Sequence, residues 1–391
     1  MFRITAAIAA LVVASIGSTT IVHAQLIETK AKRIYLVDAD SGAVLLSRDA
    51  DVPFPPGSIA KLMTAEVVFH ALEEGQLSPE TIFPVTEHAW RTGGAPSRTT
   101  TMFAAVKSSV AVGDLIQGLT VQMANDAAIV MAEGMKGSEE GFAQEMNARA
   151  KQIGLESSRF INPTGFPGDG QQVTAREMTA LATHLWREYP QLYTLFSQPA
   201  FEWNKIFQRN KNPLLALNIG ADGLMTGFAE GHGYSVVASA SNGSRRIFAT
   251  FGGFENEAER LEETRKLLQW GLDGFSTREL LAAKAVVGEA SVYGGEKAAL
   301  ALRVDEKVNV LAPVAHPELV HARIVYERPL PAPIREGDQV GELQIWVGDT
   351  LSKQVELHAA ETIESGTLRQ RAFGAVAELL VGWLRQFSWA G

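Results

Sequence analysis

Residues 53–72 read PFPPGSIAKLMTAEVVFHAL. Pro53, Pro55, Pro56 and Gly57 break the chain, an apolar periodic run follows to Leu72, and Gly75 stands ready to end it. This pattern predicts a helix opening at Ser58, a residue type favoured at helix N-termini. Ser58 and Lys61 are three apart, so a helix places the hydroxyl and the ammonium on one face. A serine hydroxyl is a weak nucleophile until a base takes its proton. Lysine is such a base when burial or a neighbouring cation lowers its pKa. The N–H groups of a first helical turn also point at any oxyanion forming there. The stretch therefore predicts an activated serine presented at a helix start.

Working outward, Arg33 to Asp38 (RIYLVD) and Ala43 to Ser47 (AVLLS) flank Asp40-Ser41-Gly42, a hairpin signature. From Leu115 to Leu155 the pattern is helical with an interruption near Gly137 and Ser138, and Ala175 to Glu188 is a further helix. Tyr234 to Ser239 and Arg246 to Phe251 flank Ser241-Asn242-Gly243 as a second hairpin, and an amphipathic helix runs from Asn256 to Leu272. Terminal hairpins around a helical middle predict an α+β domain over residues 25–275: an antiparallel sheet flanked by helices, with a helical lobe. After Phe275 the segments turn short and β-like, at Val308–Leu311, Ala322–Tyr326, Val340–Val347 and Lys353–Leu357, which predicts a small all-β domain, a β-sandwich, over residues 276–365.

The two ends speak of location. Arg3, the apolar Ala6–Ile16 and Val22-His23-Ala24 before Gln25 form a basic, an apolar and a cleavage segment, so residues 1–24 read as an export signal. Over residues 366–391, Phe373, Val376, Ala377, Leu380, Trp383, Leu384 and Phe387 share one helical face, with Arg371, Glu378 and Arg385 opposite. Such a helix lies in a membrane surface; the alternative is a helix docked on its own domain. Together the ends predict an exported, periplasmic protein attached peripherally to the outer face of the cytoplasmic membrane.

Composition narrows the chemistry. The net charge of −9, with no basic run, argues against nucleic acid as a partner. There is no cysteine, which removes disulfides, thiolate metal sites and a cysteine nucleophile. The eight histidines form no close-spaced ligand set, so neither metal nor cofactor is expected.

Two further segments gain meaning beside Ser58-Ile59-Ala60-Lys61: Met123-Ala124-Asn125 and Met225-Thr226-Gly227. S-x-x-K, S-D-N and K-T-G, in this order, are shared by penicillin-binding proteins and class A β-lactamases. YLVDADSG (35–42), PGSIAKLMT (56–64), LIQGLTVQMANDA (115–127), Asn162 to Gly165 and DGLMTG (222–227) extend the match. The chain resembles the low-molecular-mass D-alanyl-D-alanine carboxypeptidases over nearly all of its mature length. The resemblance implies a β-lactamase/transpeptidase-like domain, an accessory β domain and a membrane anchor. It implies a serine carboxypeptidase that removes the terminal D-alanine of peptidoglycan stem peptides through an acyl-enzyme and is acylated by β-lactam antibiotics. By position it makes Ser58 the nucleophile, Lys61 its base and Asn125 the residue that holds the substrate amide and orients Lys61. Thr226 becomes the carboxylate binder within the Met225-Thr226-Gly227 strand, and the N–H groups of Ser58 and Phe228 the oxyanion hole. Arg246 or Arg245 would assist with the carboxylate.

The sequence departs from the family at two positions. Met123 replaces a serine that relays a proton, which a thioether cannot do. Met225 replaces a lysine; losing a charge-assisted hydrogen bond of about 1.5–3 kcal/mol weakens productive binding roughly ten- to a hundred-fold. The alternatives to an efficient carboxypeptidase are therefore a family member that binds peptidoglycan or penicillin with little turnover, and a β-lactamase-like hydrolase.

Overall fold

The computed structural model describes residues 27–368 and 370. Five antiparallel strands form the first sheet, in the order Val44–Arg48, Arg33–Asp38, Arg246–Phe254, Gly233–Ser241 and Ala221–Ala229. Both predicted hairpins are present. In the first turn Asp38 Oδ1 accepts hydrogen bonds from the Ser41 amide and hydroxyl. The central strands are apolar on both faces, so both faces are covered. Leu224, Met225, Val237 and Phe248 pack into the helical lobe, while Ile34, Leu36, Val236, Ala249 and Phe251 pack with Leu267 and Leu268 of the Glu257–Asp273 helix.

The helix after Gly57 differs in detail from the expectation. Gly57–Ala60 form a 3₁₀ turn and the α-helix proper spans Lys61–Glu73, closed by Gly75 at φ +67°. Ser58 makes no capping bond; it sits inside the 3₁₀ turn with its hydroxyl free of the backbone. The predicted helical run of residues 115–155 is three helices, Val112–Gln122, Asn125–Lys136 and Glu139–Gln152. The break near Gly137 was legible; the one at Met123 was not, because Met123 takes a left-handed conformation (φ +52°) that its residue type does not advertise. The Ala175–Glu188 helix matches its predicted bounds and is capped by Thr174.

The α-helix after Ser58 is buried almost throughout, charged residues included. Glu66, fully buried, is held by Arg149 Nε at 2.8 Å, Tyr189 Oη at 3.1 Å and His184 Nε2 at 3.3 Å. Burial alone would raise this carboxyl, but the bonds and charges of His184 and Arg149 hold it below the usual range.

From Phe275 to residue 365 the chain is built of strands, with one 3₁₀ turn at Pro317–Leu319. A six-stranded sheet (Val320–Val325, Gln339–Val347, Thr350–Ala359, Ala299–Arg303, Val286–Tyr293, Leu330–Pro331) and the pair Phe275–Leu281 with Val308–Pro313 enclose a core of Leu300, Leu302, Val310, Leu343, Ile345 and Leu357. The four β segments read from sequence are strands here, most of them longer by up to three residues at an end, except that Tyr326 lies one residue past its strand. The proposed export signal lies outside the described residues, as does nearly all of the C-terminal helix. Among the described residues no helix is long and apolar enough to cross a membrane.

Candidate active site

Ser58 stands where three backbone segments meet too closely for side chains. A Cβ on Gly57 (φ +55°) would fall 2.3 Å from Phe228 O and 2.9 Å from Phe228 N. A Cβ on Gly165 would fall 1.8 Å from Gly57 O, and one on Gly227 2.6 Å from Pro56 O. Glycine at these points lets the 222–227 strand and the 162–165 turn close on the serine. The same contact brings the Phe228 backbone against the residue preceding Ser58.

Lys61 Nζ lies 3.1 Å from Ser58 Oγ and 2.6 Å from Thr164 O, and the side chain is fully buried. Burial pulls the Lys61 pKa down to about 7, with the negative charge of Asp126 opposing. In the neutral amine one N–H stays on Thr164 O and the lone pair is free for the serine proton. The 162–165 turn is itself fixed. Asn162 Oδ1 accepts from Thr164 N (3.2 Å), Thr164 Oγ1 (3.0 Å) and Gly165 N (2.8 Å), its Nδ2 donates to Phe166 O, and Thr64 Oγ1 donates to Pro163 O. Sequence reading quoted this turn without giving it a task. Its task is to present a carbonyl to Lys61.

Asn125 opens the 125–136 helix. Its Nδ2 donates to Thr99 Oγ1 at 2.9 Å and its N–H to Thr100 O, while the buried Oδ1 has no partner among the described residues. Asn125 makes no hydrogen bond to Lys61, so in this state Thr164, not Asn125, orients the amine. The next residue, Asp126, pins the opposite loop by accepting from Thr101 Oγ1, Met102 N and Ala104 N. Burial raises the Asp126 carboxyl although these bonds work against it. No motif reading signalled Thr99 or Thr101.

The two methionines differ in setting. Met123 is buried against the site, and Thr226 Oγ1 donates to its sulfur at 3.8 Å. Met225 points into the helical-lobe core and is fully buried. Phe228 is 54% exposed; its ring packs at a tilt of 45° against Tyr234 (centroids 4.7 Å apart), which lies under the Arg260 guanidinium.

The arginine expectation fails. Arg246 is paired with Asp222 at 2.6 Å, bonds Ser239 Oγ and stacks on Trp186. In the sheet register Thr226 is level with Val236 and Phe251, five residues from Arg246, or roughly 17 Å of strand. Arg245 faces the other side, on Asp38 and the carbonyls of Leu272 and Phe275. Neither guanidinium is available to a carboxylate at Thr226.

A model of the D-alanyl-D-alanine carboxypeptidase family matches residues 18–254, more than half of the chain. The chain belongs to this family. A second model, for the C-terminal domain of penicillin-binding protein 5, matches residues 275–365. Among relatives, the chain is 33% identical to the D-alanyl-D-alanine carboxypeptidase DacC of Escherichia coli (strain K12) over 90% of this chain and 89% of that one. Among solved structures it is similar to the D-alanyl-D-alanine carboxypeptidase DacD from Francisella tularensis (TM-score 0.72, 26% identity, 87% of this chain and 95% of that one). It is also similar to penicillin binding protein 5 from Haemophilus influenzae (TM-score 0.66, 30% identity, 87% and 99%). The first match falls on the α+β domain and the second on the all-β domain that follows it.

Proposed function

We propose that the protein is a serine-type D-alanyl-D-alanine carboxypeptidase that trims peptidoglycan stem peptides through an acyl-enzyme on Ser58. One observation carries the reading: a fully buried lysine amine, with its pKa brought to about 7, stands 3.1 Å from a serine hydroxyl. Ser58 Oγ attacks the carbonyl between the two D-alanines and gives its proton to Lys61 Nζ. The oxyanion is received by the N–H groups of Ser58 and Phe228, whose backbones the glycine contacts bring together. Collapse breaks the C–N bond and the departing amine takes a proton. Met123 cannot relay that proton, so the Lys61 ammonium returns it directly. Water then hydrolyses the ester, again with Lys61 as base.

Asn125 Oδ1, buried and unpartnered, suits an N–H of the acyl donor. Thr226 exchanges its weak bond to the Met123 sulfur for the substrate carboxylate. β-Lactams acylate the same serine. Export by residues 1–24 and surface attachment by residues 366–391 put this chemistry at the outer face of the cytoplasmic membrane.

The test is release of D-alanine from a pentapeptide by the purified mature protein, with mass spectrometry of the Ser58 peptide after fluorescent-penicillin labelling. Release and labelling, both lost in Ser58→Ala, are expected. Correctly folded protein that neither labels nor releases D-alanine sinks the proposal; labelling without release selects the weak-turnover reading.

A further inference from the structure

Beside Asn125 lies an open cleft of about 670 Å³ that the serine chemistry does not use. One wall is the hairpin of Ala200–Trp203 and Ile206–Arg209, the other the loop at Arg98–Phe103. The hairpin is fastened to the end of the Val112–Gln122 helix, just before Met123: Gln122 Nε2 donates to Arg209 O (2.6 Å) and Lys211 N to Val121 O (2.9 Å). The loop is fastened to Asn125 through Thr99 and Thr100. The cleft therefore adjoins Asn125, whose side chain is bonded to its Thr99 wall.

Its lining is of one sign. Arg98, Arg209 and Lys211 are exposed around it, and none forms an ion pair among the described residues. No acidic residue lines it. This concentration of positive charge stands on a chain of net charge −9. Gln208 adds a second signal. Its Nε2 donates to Met102 O at 3.1 Å, but its buried Oε1 has no partner, as is true of Asn125 Oδ1. Phe103 and Phe207 are exposed at the rim. Three unpaired cations, two acceptors lacking N–H donors and an apolar rim describe an extended peptide bearing carboxylates.

We infer that this cleft is a binding site for the acidic portion of the acyl-donor peptide, N-terminal to the scissile bond, with Arg98, Arg209 and Lys211 receiving its side-chain carboxylates. The inference rests on the carboxypeptidase reading for the direction in which the peptide runs. It also gives the chain a cationic hold on its substrate that does not depend on position 225.

The test uses binding as well as turnover, so that the two proposals can fail separately. The full mature chain carrying Ser58→Ala is titrated calorimetrically with a synthetic pentapeptide ending in D-Ala-D-Ala and bearing two free side-chain carboxylates. The control is the same peptide with both carboxylates amidated. A preference of about tenfold for the acidic peptide is expected, the modest gain of a few exposed ion pairs, shrinking as salt is raised. Adding Arg98→Gln, Arg209→Gln and Lys211→Gln should abolish the preference and leave the amidated peptide's affinity unchanged. Equal affinity for both peptides, or a preference that survives the triple substitution, overturns the inference. Absence of turnover in the unsubstituted protein with the preference intact refutes the carboxypeptidase reading alone.

Discussion

At the scale of single residues, Lys61 decides when the site can work. Burial lowers its pKa from 10.5 to about 7, and only the neutral amine can take the Ser58 proton. Acylation by penicillin should therefore rise as pH increases through about 7 and level off above it, as stopped-flow rates across that range would reveal. A rate that falls or stays flat through neutrality would show that Lys61 is not the base. On the proposed mechanism, the thioether of Met123 leaves the departing amine without a hydroxyl to relay its proton. Its sulfur is within reach of Thr226 Oγ1, so a hydroxyl placed there would join the same hydrogen-bond chain. On that mechanism, Met123→Ser should raise the D-alanine release rate about tenfold or more, on the low side of the usual general-acid contribution, while lowering the melting temperature, because Met123 is buried in the core of the helical lobe. An unchanged rate would mean that Lys61 already returns the proton without help.

At the scale of elements, the site depends on a turn more than on a helix. Thr164 O fixes Lys61, and Asn162 Oδ1 fixes the turn by accepting two hydrogen bonds from Thr164 and one from Gly165. Asn162→Ala removes all three and lets the turn drift from the amine. Penicillin acylation should slow about a hundredfold, as misplacement of a catalytic group by about 1 Å costs, while circular dichroism stays native. Full-rate acylation would show that the lysine is positioned from elsewhere. This arrangement also marks what the sequence could tell. The serine–lysine helix, both sheet hairpins and the Ala175–Glu188 helix were legible because periodicity and turn residues are local signals. The Thr164 carbonyl was not, since a backbone acceptor leaves no residue-type signature. The hairpin at Ala200–Arg209 was missed although Asn204 and Lys205, both at positive φ, form its two-residue turn. An Asn-Lys pair is a weaker signal than Asn-Gly. Arg246 was misassigned because order along the chain cannot say how far a strand carries a side chain from the site.

At the scale of the whole molecule, the two domains share a core. Leu272 and Phe275 at the junction cluster with Ala43, Leu45 and Leu46 of the first sheet and with Leu311 and Val347 of the second domain. Arg245 reinforces the seam by joining Asp38 to the Leu272 and Phe275 carbonyls. Apolar surface on either side would face water if the other side unfolded, at about 25 cal/mol for each Å² exposed. The mature protein should therefore unfold in one calorimetric transition. Val347 is 1% exposed in the Gln339–Val347 strand, on the accessory side of the seam. Val347→Asp buries an unpaired carboxylate there, a change of several kcal/mol. Its cost should fall on both domains, lowering the single melting temperature or splitting the transition in two with the catalytic domain also destabilised. Penicillin labelling of Ser58 during the melt reads the catalytic part separately. If labelling in Val347→Asp is lost at the same temperature as in the unsubstituted protein, the seam carries no stability and the accessory domain stands apart from the enzyme it follows.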